Sequence, residues 1–309
     1  APLAFVRELY CLDPNYHRYL GRAASLRGCP TTSSGYANFR AQNPVLFSAS
    51  GFSDHPYNLA KPNLPPNKTG STNPGWAELS QMPHLAATLD RVLRSYGSGK
   101  HFPIWNTEYG YITCPPNCTF RDTSPATAAA YINWAEYLSW RSPRTANAMQ
   151  YLLDDPNPRV GVSEYGGFAS GLVFYHGSPK ADYYAFRMPL FLPFTSARKG
   201  RSLEVWGDVR PAPYAVMDGD GPQYATIQFL RSGSNAWTTL KTLRVSDPHG
   251  YIDTWITFPS SGTVRIGWTY PRSDKTLQSS FVTNSNGTIY SRNVSVTVTP
   301  TGVKRDKRR

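Results

Sequence analysis

The order in which pattern types follow one another most constrains what this chain can fold into. Up to about residue 195, strand-like apolar runs alternate with helical periodicities; beyond about 200, only short alternating strands remain. Asn43 to Gly51 reads as a buried strand ending at a loop that holds Asp54, His55 and Tyr57. Residues 58 to 75 are rich in Pro, Asn and Gly and read as a surface loop. Leu85, Leu89, Val92, Leu93 and Tyr96 then recur at helical spacing, with Gly97 just past the end. A second strand runs through Phe102 to Glu108. Ser124-Pro125 opens the next helix, which should bury Ile132, Ala135, Leu138 and Tyr131. Ala146 to Leu153 reads as a third strand, and Ser178-Pro179 starts a helix that gives out at Pro189 and Pro193.

That order, strand then helix three times over, is the signature of a parallel sheet or barrel. Each unit takes roughly 45 residues, and a complete eight-fold barrel needs about 250. Residues 1–195 are therefore expected to form the C-terminal part of a (β/α)8 TIM-type barrel, α/β in class. The edge falls near Thr195 to Gly200. Residues 196–303 are expected to form an all-β domain, an antiparallel β-sandwich. Its strands begin with Ser202-Leu-Glu-Val-Trp206, Ala225 to Phe229, Thr239 to Val245, Ile252 to Phe258, Thr263 to Trp268 and Val294 to Val298. Trp206, Trp237, Trp255 and Trp268 fall in or beside these strands, where core packing is expected. Trp134, Tyr137 and Trp140, at helical spacing, are likewise read as core.

The chain is basic, with a formal net charge of +12. The tail at 304–309, Lys-Arg-Asp-Lys-Arg-Arg, supplies five positive and one negative residue and reads as a solvated end. With no recognition motif and no basic helix, a nucleic-acid partner is not expected. No apolar run is long enough for a transmembrane segment. Four cysteines fall into two local pairs, Cys11 with Cys29 and Cys114 with Cys118. Three connectivities are open, and the local one is the simplest. Disulfides would imply a secreted or extracytoplasmic setting. Cys114-Pro-Pro-Asn-Cys118 lacks the second pair or histidines of a zinc site, so neither metal nor cofactor is expected.

The chemistry concentrates at the ends of the predicted strands. Glu108 closes an apolar strand, where a carboxylate is costly unless paired or functional. Asn106 can hold a hydroxyl or the carboxylate, and Tyr109 and Tyr111 offer ring faces to sugar CH groups. His55 and Tyr57 end the preceding strand on the same side, and either can donate to the carboxylate and keep it ionised. Gln150 and Tyr151 end the following strand, leading into Asp154-Asp155-Pro156, which reads equally as a turn.

Taken in order, His55-Pro-Tyr57, Trp105-Asn-Thr-Glu-Tyr-Gly110 and Gln150-Tyr-Leu-Leu-Asp-Asp155 resemble strands six, seven and eight of the clan of retaining glycoside hydrolases with a (β/α)8 barrel and two catalytic glutamates. The likeness is to cellulase-like secreted proteins near glycoside hydrolase families 5 and 39. Phe168 to Phe174 and Gly177-Ser-Pro-Lys180 resemble the stretch after their last strand, and the sandwich resembles their accessory domains. The resemblance implies a carbohydrate substrate, Glu108 as nucleophile and Tyr57 as its hydrogen-bond partner. It also implies an acid/base glutamate in an Asn-Glu pair, and this sequence contains no such dipeptide. Glu8 is not assigned the role. The expectation is thus a hydrolase of O-glycosidic bonds, present as a C-terminal portion and lacking turnover by itself. The alternative is a non-catalytic carbohydrate-binding or cell-surface protein.

Overall fold

The computed structural model describes residues 2–118, 123–158, 168–271 and 287–300. The basic tail and the last few positions assigned to the sandwich lie outside them. Contacts divide the chain into two units: 1–124 with 138–171, and 125–137 with 172–309. The content is mixed, with eight α-helices and twelve strands among the described residues.

The first unit opens with four short helices, α1 (Pro2–Leu9), α2 (Gly21–Ser25), α3 (Phe39–Gln42) and α4 (Pro44–Ser48). Disulfide Cys11–Cys29 ties the segment just after α1 to the segment just after α2. Strand β1 (Phe52–Asp54) follows, then α5 (Met82–Arg94), β2 (Ile104–Tyr109) and β3 (Thr145–Gln150); α6 (Pro125–Arg141), between β2 and β3 in the chain, belongs to the second unit through Tyr137 and to the first from Leu138. The three strands form one parallel sheet in the order β1-β2-β3.

The expected strand at Asn43–Gly51 is corrected: Pro44–Ser48 is helical and the strand begins only at Phe52. Pro44 occupies the first helical turn, where its fixed φ favours a helix and its missing N–H costs nothing. Helix α5 forms as its periodicity predicts. It buries Leu85, Leu89, Val92 and Leu93, and Gly97 follows its end at φ +68°. The loop at 58–75 is organised by Glu78, which is buried and accepts the backbone N–H of Gly70 and Ser71 at 2.7 and 3.0 Å. Arg144, just before β3, donates twice to Asp90 of α5 and twice to the Phe102 carbonyl before β2. One guanidinium thus joins three elements. On α6, Ile132, Ala135 and Tyr137 are buried; Tyr131, Trp134, Leu138 and Trp140 are only half-buried.

The second unit holds α7 (Ala181–Arg187), β4 (Leu190–Phe191), β5 (Ser196–Arg198), β6 (Ser202–Asp208), α8 (Ala212–Met217), β7 (Gln223–Arg231), β8 (Trp237–Val245), β9 (Tyr251–Thr257), β10 (Gly262–Thr269), β11 (Thr288–Tyr290) and β12 (Val294–Thr299). One sheet runs β5-β12-β10-β7-β8 with β11 against β10; the other runs β4-β6-β9. Alternate residues of both sheets meet in one apolar core that includes Leu203, Val205, Ile227, Phe229, Ile256, Ile266 and Trp268. Burying each such side chain stabilises by about 1.5–3 kcal/mol. Trp206 is fully buried and packs edge-on to Tyr137. Trp255 departs from expectation and is 62% exposed. Its strand buries Ile252, Thr254 and Ile256, so the two-residue period turns Trp255 outward.

Candidate functional site

The C-terminal ends of β1, β2 and β3 lie together because parallel pairing aligns strand direction. Asp54 of β1 is the register partner of Asn106 in β2, and Tyr109 of β2 that of Gln150 in β3. The β2–β3 register shifts between Asn106 and Tyr109, an irregularity that spans Thr107 and Glu108. Such bulges re-aim a side chain. The Glu108 side chain is about one-third exposed.

Two groups from the β1 end converge on one oxygen of Glu108. The Tyr57 hydroxyl donates to Oε2 at 3.4 Å, and His55 Nδ1 lies 3.5 Å from the same atom. Burial, and then the Glu108 charge, push the Tyr57 phenol well above its ordinary value. Tyr57 therefore stays protonated and serves Glu108 as a donor.

Aromatic rings wall the site. Tyr57 stacks on Tyr109 at 6.0 Å, and Phe168 meets Tyr57 edge-on at 5.1 Å and Tyr151 at 6.1 Å. The Tyr109 and Tyr111 hydroxyls share a 2.8 Å hydrogen bond, and Tyr111 donates to the Leu64 carbonyl of the 58–75 loop. Gly110 carries the chain past this wall: a Cβ there would lie 2.4 Å from the Tyr151 carbonyl oxygen.

The other sequence candidates fall elsewhere. Gln150 spends its amide on the Tyr151 and Ser170 carbonyls, at 3.0 and 2.8 Å. Asp155 is buried and accepts the Gly171 N–H, which makes it a tether for the 168–171 segment; Asp154 is exposed. Asn106 is 1% exposed, and its Oδ1 has no hydrogen-bond partner among the described residues. Beside it in register, Asp54 Oδ2 is also buried without a partner, and burial pushes that carboxyl up to about 7. Sequence reasoning placed Asp54 in a loop and did not single out Phe168 for the site. The signal for Asp54 was its position one residue before His55, at a strand end. Phe168 reaches the site from outside the strands, and no local pattern announces that.

The cysteines pair locally, Cys11 with Cys29 and Cys114 with Cys118. Among the described residues no group of three or more His, Cys, Asp or Glu could hold a metal ion, and no helix is long and apolar enough to cross a membrane.

No family model matches the chain, and no curated protein matches it. Solved structures give low-scoring likenesses. A putative superoxide reductase from Thermotoga maritima is 12% identical at TM-score 0.24, covering 36% of this chain and 85% of its own. A superoxide reductase (neelaredoxin) from Ignicoccus hospitalis is 11% identical at 0.25, over 36% of this chain and 80% of its own. A β-glucuronidase from Bacteroides uniformis is 10% identical at 0.32 and covers 86% of this chain, which spans 28% of that protein's length. At these scores the likenesses carry no argument, and the reading that follows rests on the site itself.

Proposed function

We propose that this protein acts on carbohydrate, as a retaining glycoside hydrolase in which Glu108 is the nucleophile. The observation that carries the reading is the convergence of Tyr57 and His55 on one Glu108 oxygen, at a parallel strand end walled by Tyr57, Tyr109, Tyr151 and Phe168. A carboxylate about one-third exposed and accepting a hydrogen bond from a phenol has the properties a nucleophile needs. Ring faces suit the apolar CH faces of a pyranose. On this reading the parallel sheet belongs to a (β/α)8 barrel of the two-glutamate clan, whose sites gather at the C-terminal strand ends. The two disulfides support an extracytoplasmic setting.

In the first step the Glu108 carboxylate attacks the anomeric carbon while the glycosidic C–O bond breaks. The leaving oxygen departs with the bonding pair and takes a proton from a general acid; water later hydrolyses the glycosyl ester. No residue of this chain is assigned the acid/base role. A 2,4-dinitrophenolate leaving group needs no acid, so Glu108 can be tested by itself. A panel of 2,4-dinitrophenyl glycosides should release a burst of one equivalent of phenolate per chain with at least one sugar. Glu108→Gln should abolish the burst, and Tyr57→Phe, which removes one hydrogen bond to the carboxylate, should slow it about 10–100-fold. Saturable sugar binding without any burst would favour a non-catalytic carbohydrate binder instead.

A further inference from the structure

The second unit holds a cavity of about 780 Å³, within the size range of small-molecule sites and independent of Glu108. Helix α8 forms one wall. Its Ala212 and Ala215 are buried, which leaves Tyr214, Val216 and Met217 57%, 46% and 71% exposed at the cavity. Exposed apolar side chains gathered around one concavity mark an interaction site more often than scattered ones do. The facing wall is the end of β8 and the turn into β9. There Asp247 accepts the His249 N–H and its carbonyl accepts that of Gly250, which fixes the turn. Tyr251 completes the wall and is stacked on Trp206.

Two arginines, Arg210 and Arg244, line this largely apolar space. Arg244 has no hydrogen-bond or ion-pair partner among the described residues. Arg210 is anchored from behind: Nη2 donates to both Glu136 oxygens at 2.7 and 2.8 Å, and Nε donates to the Phe186 carbonyl. Its Nη1 makes no hydrogen bond among the described residues. The other nearby carboxyl, Asp208, sits 3.3 Å from Nη2 without hydrogen-bond geometry. Burial holds Asp208 well above the ordinary carboxylate range, so Glu136 is the main counter-charge to Arg210.

We infer that this cavity binds an anionic amphiphile, an apolar chain or ring carrying one carboxylate, with Arg244 and Arg210 Nη1 on the carboxylate and Tyr214, Val216 and Met217 on the apolar body. Guanidinium–carboxylate pairing supplies the selectivity, because both arginines that line the cavity keep donors that no hydrogen bond among the described residues uses. The neighbouring Asp247 Oδ1 accepts the His249 backbone N–H at 2.8 Å and lies 3.6 Å from His249 Nδ1.

The test uses the fluorescent fatty acid 11-(dansylamino)undecanoate. The full chain should bind it at one saturable site with a blue-shifted emission. Decanoate should displace it, and decanol should do so at least about tenfold less well. Arg244→Gln should weaken probe binding about tenfold and erase the preference for decanoate over decanol. Tyr214→Ser should weaken both competitors alike. Both replaced residues are exposed, so an unchanged melting curve separates lost binding from lost fold. Glu108→Gln should leave probe binding untouched, which keeps this site distinct from the proposed sugar chemistry. Absence of saturable binding, equal binding by wild type and Arg244→Gln, or displacement by decanol as effective as by decanoate would overturn the assignment.

Discussion

The two sheet systems spend their side chains differently. In the sandwich, β7 buries Gln223, Ala225, Ile227 and Phe229 in strict alternation, and β10 answers with Val264, Ile266 and Trp268. In the parallel sheet, Asp54, Asn106 and Asn147 carry buried polar atoms without hydrogen-bond partners, while Trp105 and Met149 are 40% and 48% exposed. A buried polar group without a partner costs about 1–3 kcal/mol. The long strands β7 and β10 are therefore organised for stability, while buried polar atoms without hydrogen-bond partners fall at Asp54 and its register neighbour Asn106 beside the candidate site and, in the sandwich, at Asp208, the last residue of β6. Three perturbations can sharpen or break that contrast.

The largest effect should come from the sandwich core. Phe229→Ala removes a ring that is 2% exposed and packed against Phe258, and should cost about 3–5 kcal/mol of unfolding free energy. Urea denaturation followed by tryptophan fluorescence reads this directly. A loss under about 1 kcal/mol would remove the distinction between the units.

The disulfides come next. Replacing Cys11 and Cys29 by Ser opens a closure of 18 residues and should cost about 3 kcal/mol. The same change at Cys114 and Cys118 opens a closure of four and should cost about 2 kcal/mol. Equal or inverted costs would show that loop closure does not set the stability of the first unit.

A pH-dependent effect concerns Asp54, whose carboxyl is pushed up by burial to about 7 from an ordinary 3.8. The folded state favours the neutral acid, so it binds more protons than the unfolded state between those values. The protein's stability from this group is greatest at low pH, declines as pH rises from about 4 to about 7, and levels off above. Asp54→Asn should flatten that part of the stability curve while leaving the rest of the profile in place. An unchanged slope would show that Asp54 is ionised in the fold.

Much of the architecture was legible in the sequence where period and punctuation agreed. Helix α5 combines an unbroken apolar stripe with Gly97, and the long sandwich strands combine alternation with turn residues. Legibility failed where elements are short. Pro44-Val-Leu-Phe is an apolar run that suits either strand or helix, and proline at the first turn decides for helix. Strand β4 is two residues between Pro189 and Pro193, and α8 is six residues carrying an internal proline. At the candidate site, the grouping of Glu108 with His55 and Tyr57 could be reasoned from the sequence, because parallel strands bring their ends to one edge. The commitment of Gln150 to backbone carbonyls and the arrival of Phe168 could not, because both depend on how the segment after β3 folds back.

The most direct test of the Glu108 proposal is covalent trapping. The chain is incubated with a panel of 2,4-dinitrophenyl 2-deoxy-2-fluoroglycosides, in which the fluorine slows hydrolysis of the glycosyl ester, and then digested and read by mass spectrometry. The account predicts one fluoroglycosyl adduct on the peptide containing Glu108, absent in Glu108→Gln. An adduct on another carboxylate, or no adduct from a sugar that demonstrably binds, would contradict it.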